Sequence, residues 1–207
     1  YLNCDPDSQT KSIRDAVRRK APHGSLVRTI YTQDTTGSNC TSRIRSNVAA
    51  TADYVFWTTD AGLQRMDIAE TEDAPVMVTA VIKGATELQT SGNKLFALNA
   101  NGLFEVTPNG SGGFNVVGRR QASQVGANPR ELRVDGYHAF WISNGQAKRL
   151  RLADSNQINI GPATGATAIA TSIQLCLFPP CDGPDFVYIS YGRELRRYAV
   201  TGALDTV

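Results

Sequence analysis

The sequence is poor in histidine: 207 residues carry only two, His23 and His138. A Ser–His–Asp triad therefore has almost nothing to draw on, and no G-x-S-x-G elbow is present to hold a serine nucleophile. Long apolar runs are also missing. The longest, ATAIATSIQLCLF at 166–178, is rich in Thr and Ser and falls short of the roughly 20 residues that span a bilayer, which argues against membrane insertion. Charge of one sign is lacking too. The balance of 21 basic against 19 acidic side chains leaves +2, too little to draw the chain to nucleic acid. No phosphate loop occurs, because NGSGG at 109–113 lacks the Lys-Ser/Thr that such a loop needs. Nothing at the N-terminus resembles a signal peptide. The chain opens YLNCDPD without an initiator Met, as a mature, processed or partly observed chain does.

What remains describes a folded protein: 41% hydrophobic and 19% charged residues, outside both disordered and membrane compositions. Arginine outnumbers lysine 16 to 5. Arginine grips carboxylates and phosphates bidentately, but a GC-rich genome gives the same bias without functional cause, and that is the plainer reading. Four cysteines, Cys4, Cys40, Cys176 and Cys181, make an even number. Cys176 and Cys181 enclose LFPP, a proline-stiffened loop suited to a local disulfide, and Cys4 with Cys40 would close a longer one. The rival reading, a metal site, lacks the usual C-x₂-C pairing. Two disulfides and an oxidising compartment are expected. Two N-x-[ST] sequons, at Asn39 and Asn109, sit in turn-like sequence.

The chain repeats itself. DYVFWTTDAGLQRMDI (53–68) is echoed by GNKLFALNANGLFEVTP (92–108), GYHAFWISNGQAKRLRL (136–152) and PDFVYISYGRELRRYAV (184–200). The anchors Phe56, Phe96, Phe140 and Tyr188 are spaced 40, 44 and 48 residues apart, the drifting period of stacked units with insertions in their loops. Each repeat opens with a feeder strand: 46–51, 86–91, 130–135 and TSIQLC at 171–176. A turn, the anchor strand, a glycine turn (Gly62, Gly102, Gly145, Gly192) and a second strand follow. Weaker strands come later at 75–82, 113–120 and 156–161. Four short strands per repeat without helical periodicity predict antiparallel sheets and exclude a βαβ fold. Four-stranded sheets recurring every 40–48 residues point to a β-propeller. The repeat cores lie near 46–82, 86–120, 130–161 and 171–207, within a blade region at 26–207. Residues 1–25 stand outside as an extension. There TKSIRDAVRRKA (10–21), with Ile13, Ala16 and Val17 at helical spacing before the stop PHG, predicts a short amphipathic N-terminal helix. SLVRTIYTQ (25–33) reads as a strand.

The run VAATADYVFWT with its later GLQRMD resembles blades of the YWTD/NHL/TolB-like propellers over residues 46–204, most closely in the first and third repeats. The second departs by placing Ala97 where Trp57 and Trp141 stand, and the fourth by placing Ile189 there. The resemblance implies blades and no catalytic residue, since these propellers share no reaction. About four blades fit in this chain. They form part of a larger ring, close a small ring with LVRTIYT, or complete a ring with another chain; the partial or two-chain arrangement is slightly favoured.

Among the chemistry-bearing residues, Asp60, Asp135, Asp182 and Asp185 fall in inter-strand turns, where carboxylates cap backbone N–H groups. A Ca²⁺ role is the weaker alternative, and no other cofactor is expected. Arg65, Arg149 and Arg197 recur on the second strands, where blade packing explains them. The long loops at 33–42, 106–113 and 177–185 are where a partner would bind. In the last of these, Phe178, Pro179, Pro180, Asp182 and Asp185 are the best contact candidates. The expectation is a noncatalytic secreted, periplasmic or cell-surface propeller that binds protein or glycan through its loops as a scaffold. The alternative is a propeller domain of, or cleaved from, a peptidase-type hydrolase, where it would gate or position substrate.

Overall fold

A computed structural model of the chain describes residues 13–20, 27–35, 44–68, 74–172 and 186–205; for the first two spans it describes the backbone alone. The regular structure among the described residues is almost wholly strand. Five antiparallel sheets form in chain order. The first is a hairpin of β1 (Ile13–Lys20) and β2 (Val27–Thr35). A four-stranded sheet follows, made of β3 (Ala49–Ala50), β4 (Tyr54–Thr58), β5 (Leu63–Asp67) and β6 (Val76–Thr79). The next contains β7 (Glu87–Ser91), β8 (Lys94–Asn99), β9 (Gly102–Pro108) and β10 (Phe114–Gln121). After the four-residue helix α1 (Ala122–Val125) come β11 (Arg130–Val134), β12 (His138–Ser143), β13 (Gln146–Arg151) and β14 (Gln157–Ile160). The last sheet holds β15 (Ala166–Thr171), β16 (Phe186–Tyr191) and β17 (Glu194–Ala199), with Leu204 bridged to Tyr198. Every strand in these sheets pairs with its sequence neighbour, the up-and-down order of propeller blades.

Two expectations need correction. The segment read as an N-terminal helix contains strand β1, paired with β2 in register from Ile13–Thr35 to Lys20–Val27. An isolated helix of that length is marginal, and a β-rich partner such as VRTIYT supplies a backbone ladder instead. The short helix of the described residues is α1, far along the chain. The fourth feeder strand also lies earlier than TSIQLC: β15 ends at Thr171 and runs ATAIAT. That placement pairs Ile169 with Ile189 and buries Ala166 and Ile169. Residues 173–176 lie outside the described residues.

The chain divides into two units, residues 1–86 and 87–207. In the first, Trp57 packs with Val55, Met66, Ile44 and Ile68 on one face of its sheet. Phe56, on the alternate face by the period-two rule, is also buried. The turn after β4 is held by Thr59, whose hydroxyl accepts the N–H groups of Ala61 and Gly62. Asn99 does the same work after β8, its Oδ1 accepting from Asn101 and Gly102 at 2.8 and 2.9 Å. These turns are where the repeat changes direction, and a buried acceptor fixes each one.

In the second unit the sheets pack face to face. Phe96, Leu98 and Leu103 meet Leu132, Ala139, Trp141 and Leu150 in one cluster, closed by Val125 of α1. Phe140, Ile142, Ala147 and Ile160 meet Ala166, Ile169, Val187, Ile189 and Tyr198 in the other. Adjacent residues of one strand thus serve opposite cores: Trp141 faces the preceding sheet and Phe140 the following one. This explains why the aromatic dipeptide recurs. Where Ala97 replaces the tryptophan, its cross-strand partner is Phe104, at a position held by Gln64, Lys148 and Arg196 in the other repeats. The aromatic volume missing from one strand returns from its neighbour, as a close-packed interior requires. Between β12 and β13, Asn144 and Gly145 take φ of 50° and 74°. They form the two-residue primed turn whose twist suits a hairpin.

Candidate functional site

The loop expected to carry the contact residues Phe178, Pro179, Pro180, Asp182 and Asp185 lies outside the described residues, as do Cys4, Cys40, Cys176, Cys181 and His23. The structure describes the sheets on which that loop is mounted, and those sheets account for most of the other candidates.

Asp60 is held by Arg45, with Nε at 2.9 Å from Oδ1 and Nη2 at 2.6 Å from Oδ2. Asp135 caps the turn before β12: its Oδ1 accepts the N–H groups of Tyr137 and His138 at 2.8 and 2.7 Å. His138 is buried in the strand beneath, near Phe140. The repeating arginines are committed to packing. Arg65 lies over the Tyr54 ring at 4.6 Å, and Arg149 donates to the Val200 carbonyl at 2.6 Å. Arg197 pairs with Asp205 at 2.6 Å and covers the Phe186 ring. Among the described residues no three His, Cys, Asp or Glu side chains converge as metal ligands.

The arginine row hides an exception that the sequence reading passed over. Cross-strand partners of the anchors are Arg65 for Phe56, Arg149 for Phe140 and Arg197 for Tyr188, but Glu105 for Phe96. The Glu105 side chain is only 5% exposed and is clasped by Lys94 at 2.9 Å and by Arg119, whose Nε donates at 2.7 Å. Burial pushes its carboxyl up, but the Lys94 and Arg119 hydrogen bonds together outweigh it and hold the group below the usual range. The reversed sign at one position of the repeat is the signal that could have found it.

A second charged group joins the first strands of the three sheets in the second unit. Arg130 reaches from β11 to β15, donating to the Thr167 and Ala166 carbonyls at 2.7 and 3.0 Å. From the other side, Glu87 of β7 accepts the backbone N–H of Glu131. Glu131 itself sits at φ 59°, in a break of the β11 register, and pairs with Arg133 at 3.2 Å. Burial raises the Glu87 carboxyl, and the Glu131 carboxylate adds to the rise. This row stitches blades together.

Three further polar side chains beside α1 are similarly occupied. Ser143 donates to the Ala127 carbonyl at 2.9 Å, and Lys148 donates to the carbonyls of Gln124 and Val125 at the end of α1. Trp141 Nε1 reaches the same Val125 carbonyl at 3.1 Å. Burial lowers the Lys148 ammonium.

The loops differ from repeat to repeat in length and composition. The best described is the β9–β10 hairpin. There Asn109 Oδ1 accepts three hydrogen bonds: from Ser111 N–H at 3.1 Å, from Ser111 Oγ at 2.9 Å and from Gly113 N–H at 3.0 Å. Asn109 N–H returns one to the Gly113 carbonyl. The tip of the hairpin is exposed.

No protein-family model matches the chain, and no curated protein matches it in sequence. Likeness appears among solved structures. A chain of the Nidogen/Laminin complex superposes with TM-score 0.57 at 14% identity, covering 92% of this chain and 70% of that one. The computationally designed Ika4 protein gives 0.52 at 13% identity, over 77% of this chain and 92% of its own. Hsv2 of Kluyveromyces lactis gives 0.52 at 11% identity, over 86% of this chain and 52% of its own, so this chain spans about half the length of Hsv2. At such identities the likeness speaks for fold alone. Sheet order, the packing of sheets within the second unit and the Hsv2 and nidogen neighbours agree on the fold: the chain is built of antiparallel blades of the β-propeller kind.

Proposed function

We propose that this chain is a noncatalytic protein-binding module, exported to the cell envelope or beyond, which presents its inter-strand loops to a partner. The observation that carries the reading is where the polar side chains are spent. The recurrent arginines, Glu105, Asp60 and Asp135 are consumed in packing, ion pairs and turn caps. Chemistry that varies from repeat to repeat is left to the loops, the usual carriers of function on a rigid scaffold. One fold neighbour comes from a protein complex, which supports a protein as the partner. The contact surface we propose is LFPPCDGPDF at 177–186, with Phe178, Pro179 and Pro180 as apolar anchors and Asp182 and Asp185 as polar rim.

The test pairs the native chain with a variant carrying a Gly-Ser linker at 178–185, both checked by circular dichroism and thermal melting. Each is applied to a panel of exported proteins and to a glycan array. Saturable binding to a protein that the linker abolishes, with melting unchanged, is the expected result. Binding to glycans alone would redirect the reading to carbohydrate, and hydrolysis of peptide substrates by the chain would overturn it.

A further inference from the structure

Three Asn-Gly pairs lie at turns of the second unit, each with its asparagine exposed: Asn101-Gly102, Asn109-Gly110 and Asn144-Gly145. Such pairs are chemically unstable when the glycine nitrogen is free to reach the asparagine side chain. The fold treats the three differently. Gly102 N–H is bound at 2.9 Å to the buried Asn99 Oδ1. Asn144 N–H is tied to the Ala127 carbonyl, and the Gly145 carbonyl accepts from Ala166 N–H. A Cβ on Gly145 would stand 2.9 Å from Gly165 N, so this turn has no room to swing. Although the Asn109 N–H is tied to the Gly113 carbonyl, Gly110 itself is less restrained. Nothing lies within 4 Å of where its Cβ would be, Gly112 beside it is equally open, and its own N–H has no partner among the described residues.

Asn109 also carries what the other two lack. Its Oδ1 sits among three donors at 2.9–3.1 Å, two backbone N–H groups and the Ser111 hydroxyl. That is the range in which preorganised donors stabilise an oxyanion. Attack on Asn109 Cγ turns this oxygen into an oxyanion, so the cradle that holds the hairpin also favours the reaction.

We propose that Asn109 is a built-in deamidation site of this protein, its amide activated by the Ser111–Gly113 cradle. A solvent base takes the Gly110 N–H proton, and the nitrogen attacks Asn109 Cγ. The new C–N bond closes a five-membered succinimide, the Cγ–Nδ2 bond breaks, and the amide nitrogen leaves as ammonia with a proton from solvent. Water then opens the ring. Attack at Cγ yields aspartate; attack at the main-chain carbonyl yields isoaspartate, with the chain running through the side-chain carbon. No oxidant or reductant is involved. Either product adds a carboxylate to the hairpin, taking one unit from the net charge of +2.

The experiment is incubation of the folded chain at mildly alkaline pH in heavy-oxygen water, followed by peptide mapping of all three sites. Asn109 is expected to convert roughly tenfold faster than Asn101 or Asn144, the rate equivalent of about one net hydrogen bond. Ser111→Ala, shown by melting to remain folded, is expected to slow Asn109 by about tenfold, less than for a fully enclosed oxyanion donor because this site is exposed. In urea the three sites of the native sequence should converge. Equal rates in the folded chain, or a Ser111→Ala variant that converts as fast as the native one, would overturn the proposal.

Discussion

His138 Nδ1 stands 3.7 Å from Asp135 Oδ2, and both atoms are buried without a hydrogen bond among the described residues, although the other oxygen of the same carboxylate caps two backbone N–H groups. The carboxylate is therefore kept for its turn more than for its histidine. Asp135→Ala removes the cap and should cost about 1 to 2 kcal/mol, whereas Asp135→Asn keeps an acceptor at Oδ1 and should cost less than half of that. Urea unfolding of the two variants at neutral pH measures the difference.

Glu105 gives the acid limb of the stability profile. Its folded-state carboxyl is held below the ordinary 4.5, so it binds fewer protons folded than unfolded. The stability it contributes is present above pH 4.5 and is lost as pH falls through the lowered value. Glu105→Gln should cost about 2 kcal/mol at pH 7, with Lys94 and Arg119 partly rescued by solvent. The gap between variant and native chain should close in acid. Chemical denaturation at a series of pH values tests this.

Glu87 has the opposite sign. Burial and the facing Glu131 raise its carboxyl above 4.5, so its folded state favours the proton. Its contribution is present in acid and is lost as pH rises through the raised value. Glu87→Gln keeps an oxygen for the Glu131 N–H and should stabilise the protein at neutral pH on the order of 0.5 kcal/mol, with no gain in acid. A variant less stable than the native chain at neutral pH would sink this account.

Phe104 fills the space that Ala97 leaves. Phe104→Ala should cost about 3 kcal/mol, because Ala97 across the strand is too small to close the cavity. Thermal melting reads the loss directly.

The cysteines yield to mass spectrometry. With two disulfides, alkylation of the denatured chain adds nothing until it is reduced, and then labels all four of Cys4, Cys40, Cys176 and Cys181. Four labels without reduction would remove both the disulfides and the oxidising compartment they imply.

The blade strands were legible because two faces of one strand must both be apolar, which writes itself as aromatic pairs such as Phe140-Trp141 ahead of a glycine turn. The start of the fourth sheet was not, since ATAIAT and TSIQLC have equal claims as strands and only the pairing of Ile169 with Ile189 decides between them. The helix expected at 10–21 failed for the same reason. Spacing of Ile13, Ala16 and Val17 fits a helix, but a strand partner such as Tyr31, opposite Val17, is invisible to local periodicity. Of the site, the arginine row and the Asp135 cap could be read as structural from their places in the repeat. The Asn109 cradle could not, because three donors converge on one oxygen only after the hairpin closes.

The single acid in the row of arginines bears on how the chain avoids mistaking one repeat for another. Strands of similar pattern invite exchange during folding, a known hazard of repeat proteins. A β9 strand docked in a neighbour's place would carry Glu105 into an apolar interface without Lys94 or Arg119. An arginine strand in the place of β9 would meet those two cations instead. Each error buries an unmatched charge, so the pairing of Phe96 with Glu105 labels its blade and makes the order of assembly a matter of charge as well as shape.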